Sequence, residues 1–316
     1  MNNLKIFSGS SNPHLASDIA FHLKQELGNI FLHSFPSGES FCQFKENIRG
    51  CDVFLVQSIT TPANDNLMQL LVMADAARRA SAARITAVVP YFGYARQDRK
   101  DKSRVPISAK LVLDLFESSG IDRVLTMDLH SPQICGFTNL PFDHLTFEPV
   151  LKEHINQFWD KKNLMLMAPD VGAVKRVEQY ASALKCDFGF ISKKRIDDTK
   201  VELENIVGDI KDKEVLIIDD LTESCGTLLQ AAEACLSRNA ASVSCAVTHG
   251  CFTDVGIFRL NNAFDSKKIN RFICSNTANF LSSEVNDKVT KLNVARLFAT
   301  AIENIHNNKS VSELFV

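Results

Sequence analysis

The stretch VLIIDDLTESCGTLLQAA, residues 215–232, decides the fold. A continuous apolar run, Val215–Ile218, ends in Asp219 and Asp220. A polar turn with Thr222, Glu223, Ser224, Gly226 and Thr227 follows, and Gly226 to Asn239, rich in alanine and leucine, reads as a helix. A strand with one wet face alternates polar and apolar residues, whereas one buried on both faces reads as a short continuous apolar run. A buried strand feeding a turn and a helix is the repeating piece of a parallel sheet with crossover helices.

The same pattern recurs outward in both directions. LKIFSG (4–9), DVFLVQS (52–58), RITAVVPY (84–91), RVLTMDL (123–129), LMLMAPD (164–170) and VSCAVTH (243–249) are near-continuous apolar runs that end in polar residues. Between them, Leu67, Leu70, Leu71 and Ala74 form an i, i+3, i+4, i+7 stripe after Pro62. The reading is α/β, with two doubly wound domains, each a mostly parallel sheet flanked by helices. At 316 residues the chain exceeds one typical domain. The division is placed at residue 146, giving an N-terminal domain over 1–146 and a C-terminal domain over 147–316 that carries the 219–227 turn.

Net charge is −2, from 35 basic and 37 acidic side chains. Such a balance lacks the basic footprint of nucleic-acid binding, so any anion site is built locally. The nine cysteines show no CxxC pair, which argues against a disulfide framework or a structural zinc site and for free thiols in a reducing compartment. The start, MNNLKIFSGSSN, has no apolar signal core, and no apolar run reaches membrane-spanning length. A cytoplasmic protein without membrane or nucleic-acid partners is expected.

Two segments carry chemistry. In the 219–227 turn, successive backbone N–H groups and a helix amino end attract phosphate, and the hydroxyls add donors. Asp219 and Asp220 can accept hydrogen bonds from vicinal sugar hydroxyls, so the site fits a sugar phosphate. The second segment is VVPYFGYARQDRKDKSRVPISAKL (88–111), where Arg96, Arg99, Lys100, Lys102, Arg104 and Lys110 surround Asp98 and Asp101 beside Tyr91, Phe92 and Tyr94. These cations suit polyphosphate, with Gln97 available for polar contacts; the alternative is a solvated charge run. No GxxxxGK[ST] and no GxGxxG occurs.

The 219–227 loop resembles the signature of proteins that bind phosphoribosyl diphosphate. The chain as a whole resembles the ribose-phosphate diphosphokinases over almost its full length: FSGSSNPHLA, SGESFCQFKENIRGCDVFLVQS, TPANDNLMQLL, YFGYARQDRK, PISAKLV, RVLTMDLH, APDVGAVKR, VTHG and SVSELF all match. The combination of YARQDRK with TMDLH is the specific part. The resemblance implies phosphoribosyltransferase-like domains and transfer of the diphosphate of ATP, with Mg2+ as cofactor, to ribose 5-phosphate. It also implies a homo-oligomer built from dimers, a hexamer in the family's usual form. His130 and Asp170 match metal-linked positions. Arg96 and Gln97 match an ATP-contacting pair, and Phe35, Pro36, Ser37, Gly38 and Glu39 the adenine-side loop. Lys193 and Arg195 match the catalytic lysine and arginine of a mobile loop. Asp219, with Glu223, Ser224, Cys225, Gly226 and Thr227, matches the ribose 5-phosphate site.

The sequence departs from the family at Ser37, at Ala173, at Glu223-Ser224, in FTDVG after VTHG, and over Cys274–Asn279. Two other readings stay open at this stage: a phosphoribosyltransferase, and a catalytically weak regulatory subunit of such a synthetase.

Overall fold

A computed structural model describes residues 3–195, 201–279 and 286–315, with the side chains of 193–195, 201–204 and 315 excepted. It divides into two compact units, the first comprising residues 1–146, 277–279 and 293–316, and the second 147–276 and 280–292. Among the described residues no helix is long and apolar enough to cross a membrane.

In the first unit, β1 (Leu4–Ser8), β4 (Asp52–Val56), β5 (Arg84–Val89), β6 (Arg123–Met127) and β7 (Phe142–Leu145) form an all-parallel sheet in that order. β2 (Ile30–Ser34) and β3 (Ser40–Phe44) form a separate antiparallel ribbon. The ribbon escaped the sequence reading because its one apolar run, Ile30–Leu32, is only three residues long and its side chains are half-buried or exposed. Helices α1 (Pro13–His22), α2 (Ala63–Arg79) and α3 (Ser108–Ser119), with a 3-10 helix over Pro132–Phe137, complete the unit's first 146 residues. The buried stripe of α2 is Leu67, Leu70, Met73, Ala74 and Ala77. With Val112, Leu113 and Phe116 of α3, it packs on Phe7, Val53, Leu55, Ile85, Ala87 and Val89 of the sheet.

In the second unit, α4 (Glu148–Phe158) leads to β8 (Leu164–Ala168) and α5 (Val174–Leu184). Then come β9 (Asp187–Arg195), β10 (Val201–Val207), β11 (Glu214–Thr222), α6 (Gly226–Ser237), β12 (Ser242–Gly250) and α7 (Asp254–Asp265). β13 (Phe272–Ser275) and β14 (Val289–Leu292) close the sheet. The strand order is β10-β9-β8-β11-β12-β13-β14, parallel except for β10. The chain thus starts at β8, moves one way to β9, and returns to place β11 on the other side. That reversal is the doubly wound switch point; in the first unit the strands follow chain order.

The division at 146 assigned the whole C-terminal tail to the second domain, and there the structure differs. α8 (Ala295–His306) packs along α1 within the first unit. Asn293 donates to Asp18 at 2.7 Å, and the Thr277 carbonyl accepts from Ser58 Oγ at 2.7 Å. The physical reason is topological. Strands laid down in chain order with right-handed crossovers put α2 and α3 on one face. Ile6, Phe54, Val56, Val88 and Leu125 alternate onto the other face and are buried too. That face needs α1 and α8, whose Phe298, Ala301, Ile302 and Ile305 are buried.

The end of α8 is tied to the sheet by polar groups. Asp52, 3% exposed, accepts from Arg84 Nε at 2.8 Å and lies 2.7 Å from His306 Nδ1. Arg84 also donates to the Ile305 carbonyl at 3.1 Å. Breaking a buried ion pair costs about 3–5 kcal/mol because a charge is left uncompensated. The Arg84 side chain is 27% exposed, so Asp52→Ala is expected to cost less, roughly 2–3 kcal/mol, read as a lower urea midpoint. An unchanged midpoint would remove the triad from the account of how α8 is held.

Candidate active site

The second unit's site grows from one mismatch in strand length. β11 pairs with β8 only as far as Ile217 opposite Met167, but with β12 as far as Thr222 opposite Gly250. Asp219 and Asp220 therefore lie inside the strand and not at its end, as the sequence reading had them. Beyond Ile217 the β8 side of β11 is open. The backbone there needs other partners. The Asp219 carboxylate accepts from the Asp220 N–H at 2.9 Å, and the Asp220 carboxylate from the Leu221 N–H at 2.8 Å. A crevice of this kind, beyond the carboxyl ends of strands at the switch point, is where open α/β sheets bind ligands.

β8 ends next to it. Asp170 caps the short turn that follows β8, accepting from the N–H groups of Gly172 at 2.9 Å and Ala173 at 3.2 Å. Ala173 is buried, so its methyl is accommodated within the turn. The turn opens α5, and Arg176 in its first helical turn brings Nη1 to 3.7 Å from Asp219 Oδ1 and 3.8 Å from Asp220 Oδ1. Sequence reading gave Arg176 no role. A signal was present: Lys175 and Arg176 are bases in the first turn of α5, where the helix dipole disfavours them.

The two aspartates are electrostatically costly. Burial, then the neighbouring Asp220 charge, push Asp219 well above the usual carboxylate range, to about 8, against the opposing pull of Arg176. The pair thus takes up a proton near neutral pH and offers both a donor and acceptors to sugar hydroxyls.

The turn after β11 is held from two sides. Thr222 Oγ1 accepts the Cys225 N–H at 3.1 Å, and Cys225 takes φ +59° to start α6. The first-turn N–H groups of α6 have no acceptor within the helix, which leaves them for an anion. From the other side, Thr253 caps α7 and donates its N–H to the Glu223 carbonyl at 3.1 Å. Gly256 passes so close that a Cβ there would lie 2.0 Å from that carbonyl oxygen. Lys193 and Arg195 lie in β9, opposite Leu203 and Val201 of β10, in an antiparallel ribbon where a loop was expected. Their side chains, and residues 196–200, lie outside the described part of the structure.

In the first unit, Arg96 and Gln97 follow β5 and His130 follows β6, on adjacent strands at the carboxyl edge of the sheet. The whole 91–107 stretch is loop, with its basic side chains exposed. It is pinned by Tyr94 to Asn64, by Ser108 to Gln97, and by the Ala109 N–H to the Gln97 carbonyl at 3.2 Å. The Asp128–His130 turn is fixed by the Asp128 N–H to the Leu145 carbonyl at 3.0 Å, and by the Leu129 N–H to His144 Nε2 at 2.8 Å. Residues 35–39 form the tip of the β2–β3 ribbon, outside this sheet. Gly38 takes φ +90° there, a turn conformation that side chains disfavour. The Ser37 hydroxyl donates to Glu39 at 2.7 Å, and Phe35 is exposed beside His33 and Phe41.

A doubly wound sheet with paired carboxylates and an amide-lined turn at its switch point is the architecture of phosphoribosyl-binding domains. The comparisons with known proteins agree. Residues 4–120 match the family model for the N-terminal domain of ribose phosphate pyrophosphokinase, and residues 148–269 match the phosphoribosyl transferase domain. The chain is 44% identical to a ribose-phosphate pyrophosphokinase from Caldanaerobacter subterraneus, covering 99% of this chain and 98% of that one. It is 43% identical to the enzyme of the same name from Agrobacterium fabrum, over 99% and 100%. The crystal structure of phosphoribosylpyrophosphate synthetase from Mycobacterium smegmatis superposes with a TM-score of 0.91 at 35% identity, covering 97% and 100% of the two chains. This chain belongs to the ribose-phosphate pyrophosphokinase family.

Two outcomes follow from the geometry. A carboxyl group whose folded pKa is raised holds its proton more tightly folded than unfolded. Its contribution to stability is present below about pH 4 and declines as the pH rises through about 8. Asp219→Asn should therefore raise the thermal midpoint of the free protein at pH 8 relative to wild type, with little difference at pH 4. The same shift at both pH values would mean that the buried charge is not its source. Gly256→Ala drives a methyl into the Glu223 carbonyl. It should cost about 1–3 kcal/mol of stability, read as a lower urea midpoint. An unchanged midpoint would show that the α7 contact does not hold the loop.

Proposed function

We infer that the protein transfers the β,γ-diphosphate of Mg-ATP to the anomeric hydroxyl of ribose 5-phosphate, giving phosphoribosyl diphosphate and AMP. The observation that carries this is the site at the switch point: Asp219 and Asp220 with Arg176 beside them, next to the open amino end of α6. The aspartates take the ring hydroxyls, and the 223–227 turn takes the 5-phosphate. The anomeric oxygen then attacks the β-phosphorus as the bond from that phosphorus to the α,β-bridging oxygen breaks, and AMP leaves. Such a transfer asks the protein mainly for alignment and charge neutralisation.

ATP is assigned to Arg96, Gln97 and the 35–39 turn, where Phe35 offers an aromatic face and Ser37 and Glu39 offer polar groups. Among the described residues no three His, Cys, Asp or Glu side chains gather into a metal cage. Magnesium commonly keeps several waters and binds through one or two carboxylates plus substrate phosphates. Isolated donors such as Asp170 therefore suit a metal that arrives with ATP. His130 is assigned with Asp170 to that metal, on the family match. The metal neutralises charge on the transferring group when bound. Lys193 and Arg195 are assigned to the same group, on their place in the chain and the family match. A dimer-built homo-oligomer in the cytoplasm completes the proposal, in keeping with nine cysteines that form no disulfide.

The test is direct. Purified protein with Mg-ATP and ribose 5-phosphate is expected to form AMP and phosphoribosyl diphosphate in equal amounts; ADP as the product, or no turnover, overturns the reading. Lys193→Ala and Arg195→Ala are expected to lower kcat by about 10²-fold or more, with several-fold changes in KM. Lys194→Ala serves as the neighbouring control. Equal damage at Lys194 would mean that the strand is a binding surface and not a catalytic one.

A further inference from the structure

We propose that Arg259, on α7, is a further substrate-binding residue, the cation that receives the phosphate of ribose 5-phosphate at the amino end of α6; this rests on the function proposed above. The segment FTDVGIFR, residues 252–259, departs from the family pattern at its start, and no role was read for it from the sequence. The structure lays it against the phosphate turn. Thr253 reaches the Glu223 carbonyl twice, with its N–H at 3.1 Å and its hydroxyl at 3.3 Å. The same hydroxyl accepts the Gly256 N–H at 3.2 Å. One turn on, Arg259 Nη1 donates to the Ser224 carbonyl at 3.4 Å and stands 3.5 Å from where a Cβ on Gly226 would lie. Residues three apart share a helix face, so Thr253, Gly256 and Arg259 address the turn together.

Charge makes the case for a cation here. A phosphate dianion seated on α6 lies near Asp219, Asp220 and Glu223. A helix amino end offers only about half a positive charge. Arg176 is already set against the two aspartates. Arg259 is exposed, and one of its five N–H donors goes to Ser224, which leaves four for an acceptor. Its field reaches into the turn: burial pushes the Cys225 thiol up to about 11, and Arg259 acts against that shift. A guanidinium can meet two phosphate oxygens at once, which a helix end alone cannot do.

The experiment is a calorimetric titration of ribose 5-phosphate into wild type and Arg259→Gln at pH 7.5 and 5.5, with KM for ATP measured in parallel. A charged hydrogen bond contributes about 1.5–3 kcal/mol, so Arg259→Gln is expected to weaken ribose 5-phosphate by roughly 10–100-fold while KM for ATP moves less than about threefold. The second phosphate ionisation lies near pH 6. Wild-type affinity should therefore fall between pH 7.5 and 5.5, and the variant should show a flatter dependence. Arg259→Gln affinity within about twofold of wild type, or a loss with the pH dependence unchanged, overturns the assignment; the latter would mark a structural role. Because Arg259 is exposed, the thermal midpoint should hold. If glutamine disturbs the turn, Arg259→Met, which keeps an unbranched apolar stem, is read by the same criteria. A wild-type protein that binds no ribose 5-phosphate overturns the proposed function instead, so the two failures are distinguishable.

Discussion

The candidate site depends on β11 running past β8. Up to Ile217 the strand is hydrogen-bonded on both sides; from Asp219 to Thr222 it keeps only β12. An open strand side deep in a sheet exposes backbone donors that must be satisfied. Here the carboxylates of Asp219 and Asp220 fold back on the next residues' N–H groups. The same step that opens a crevice at the switch point therefore also holds an acid there, since successive N–H groups of a strand point to opposite sides. Everything else at the site is arranged around that step: the Asp170 cap at the end of β8, Arg176 in the first turn of α5, and the turn that leads to α6.

This arrangement is held at a cost in stability. Two neighbouring acids removed from water favour a shared proton over two charges, which is why Asp219 sits so far above its usual range. Arg176 relieves part of the repulsion at 3.7–3.8 Å, beyond direct hydrogen-bond reach. Sites that bind polar substrates commonly carry such strain. α7 supplies the counterweight by gripping the Glu223 carbonyl with Thr253 and by bringing Gly256 into close backbone approach. The turn is thereby ordered by neighbours that are distant in sequence.

The first unit shows how topology decides which segments belong together. Its strands follow chain order, so its crossovers leave one sheet face short of cover. α8, from the far end of the chain, covers that face with α1, and the Asp52, Arg84 and His306 cluster fixes where it ends. A linear domain boundary cannot express this arrangement.

The sequence by itself determined the fold class and most buried strands. Those features are set by local order: a continuous apolar run is a buried strand, and a glycine-bearing polar turn ahead of a helix marked 219–227 as a candidate site. Full-length resemblance added the family and the residues that match its motifs. It did not reveal the β2–β3 ribbon, whose one apolar run is short, or the return of α8, which depends on strand order. Arg176, Thr253, Gly256 and Arg259 were also beyond it, because each acts on a residue of another element. Only the tertiary structure decided those contacts. A side chain's partner across 30 or 40 residues is set by strand register and helix packing, and neither is written in the spacing of the residues it joins.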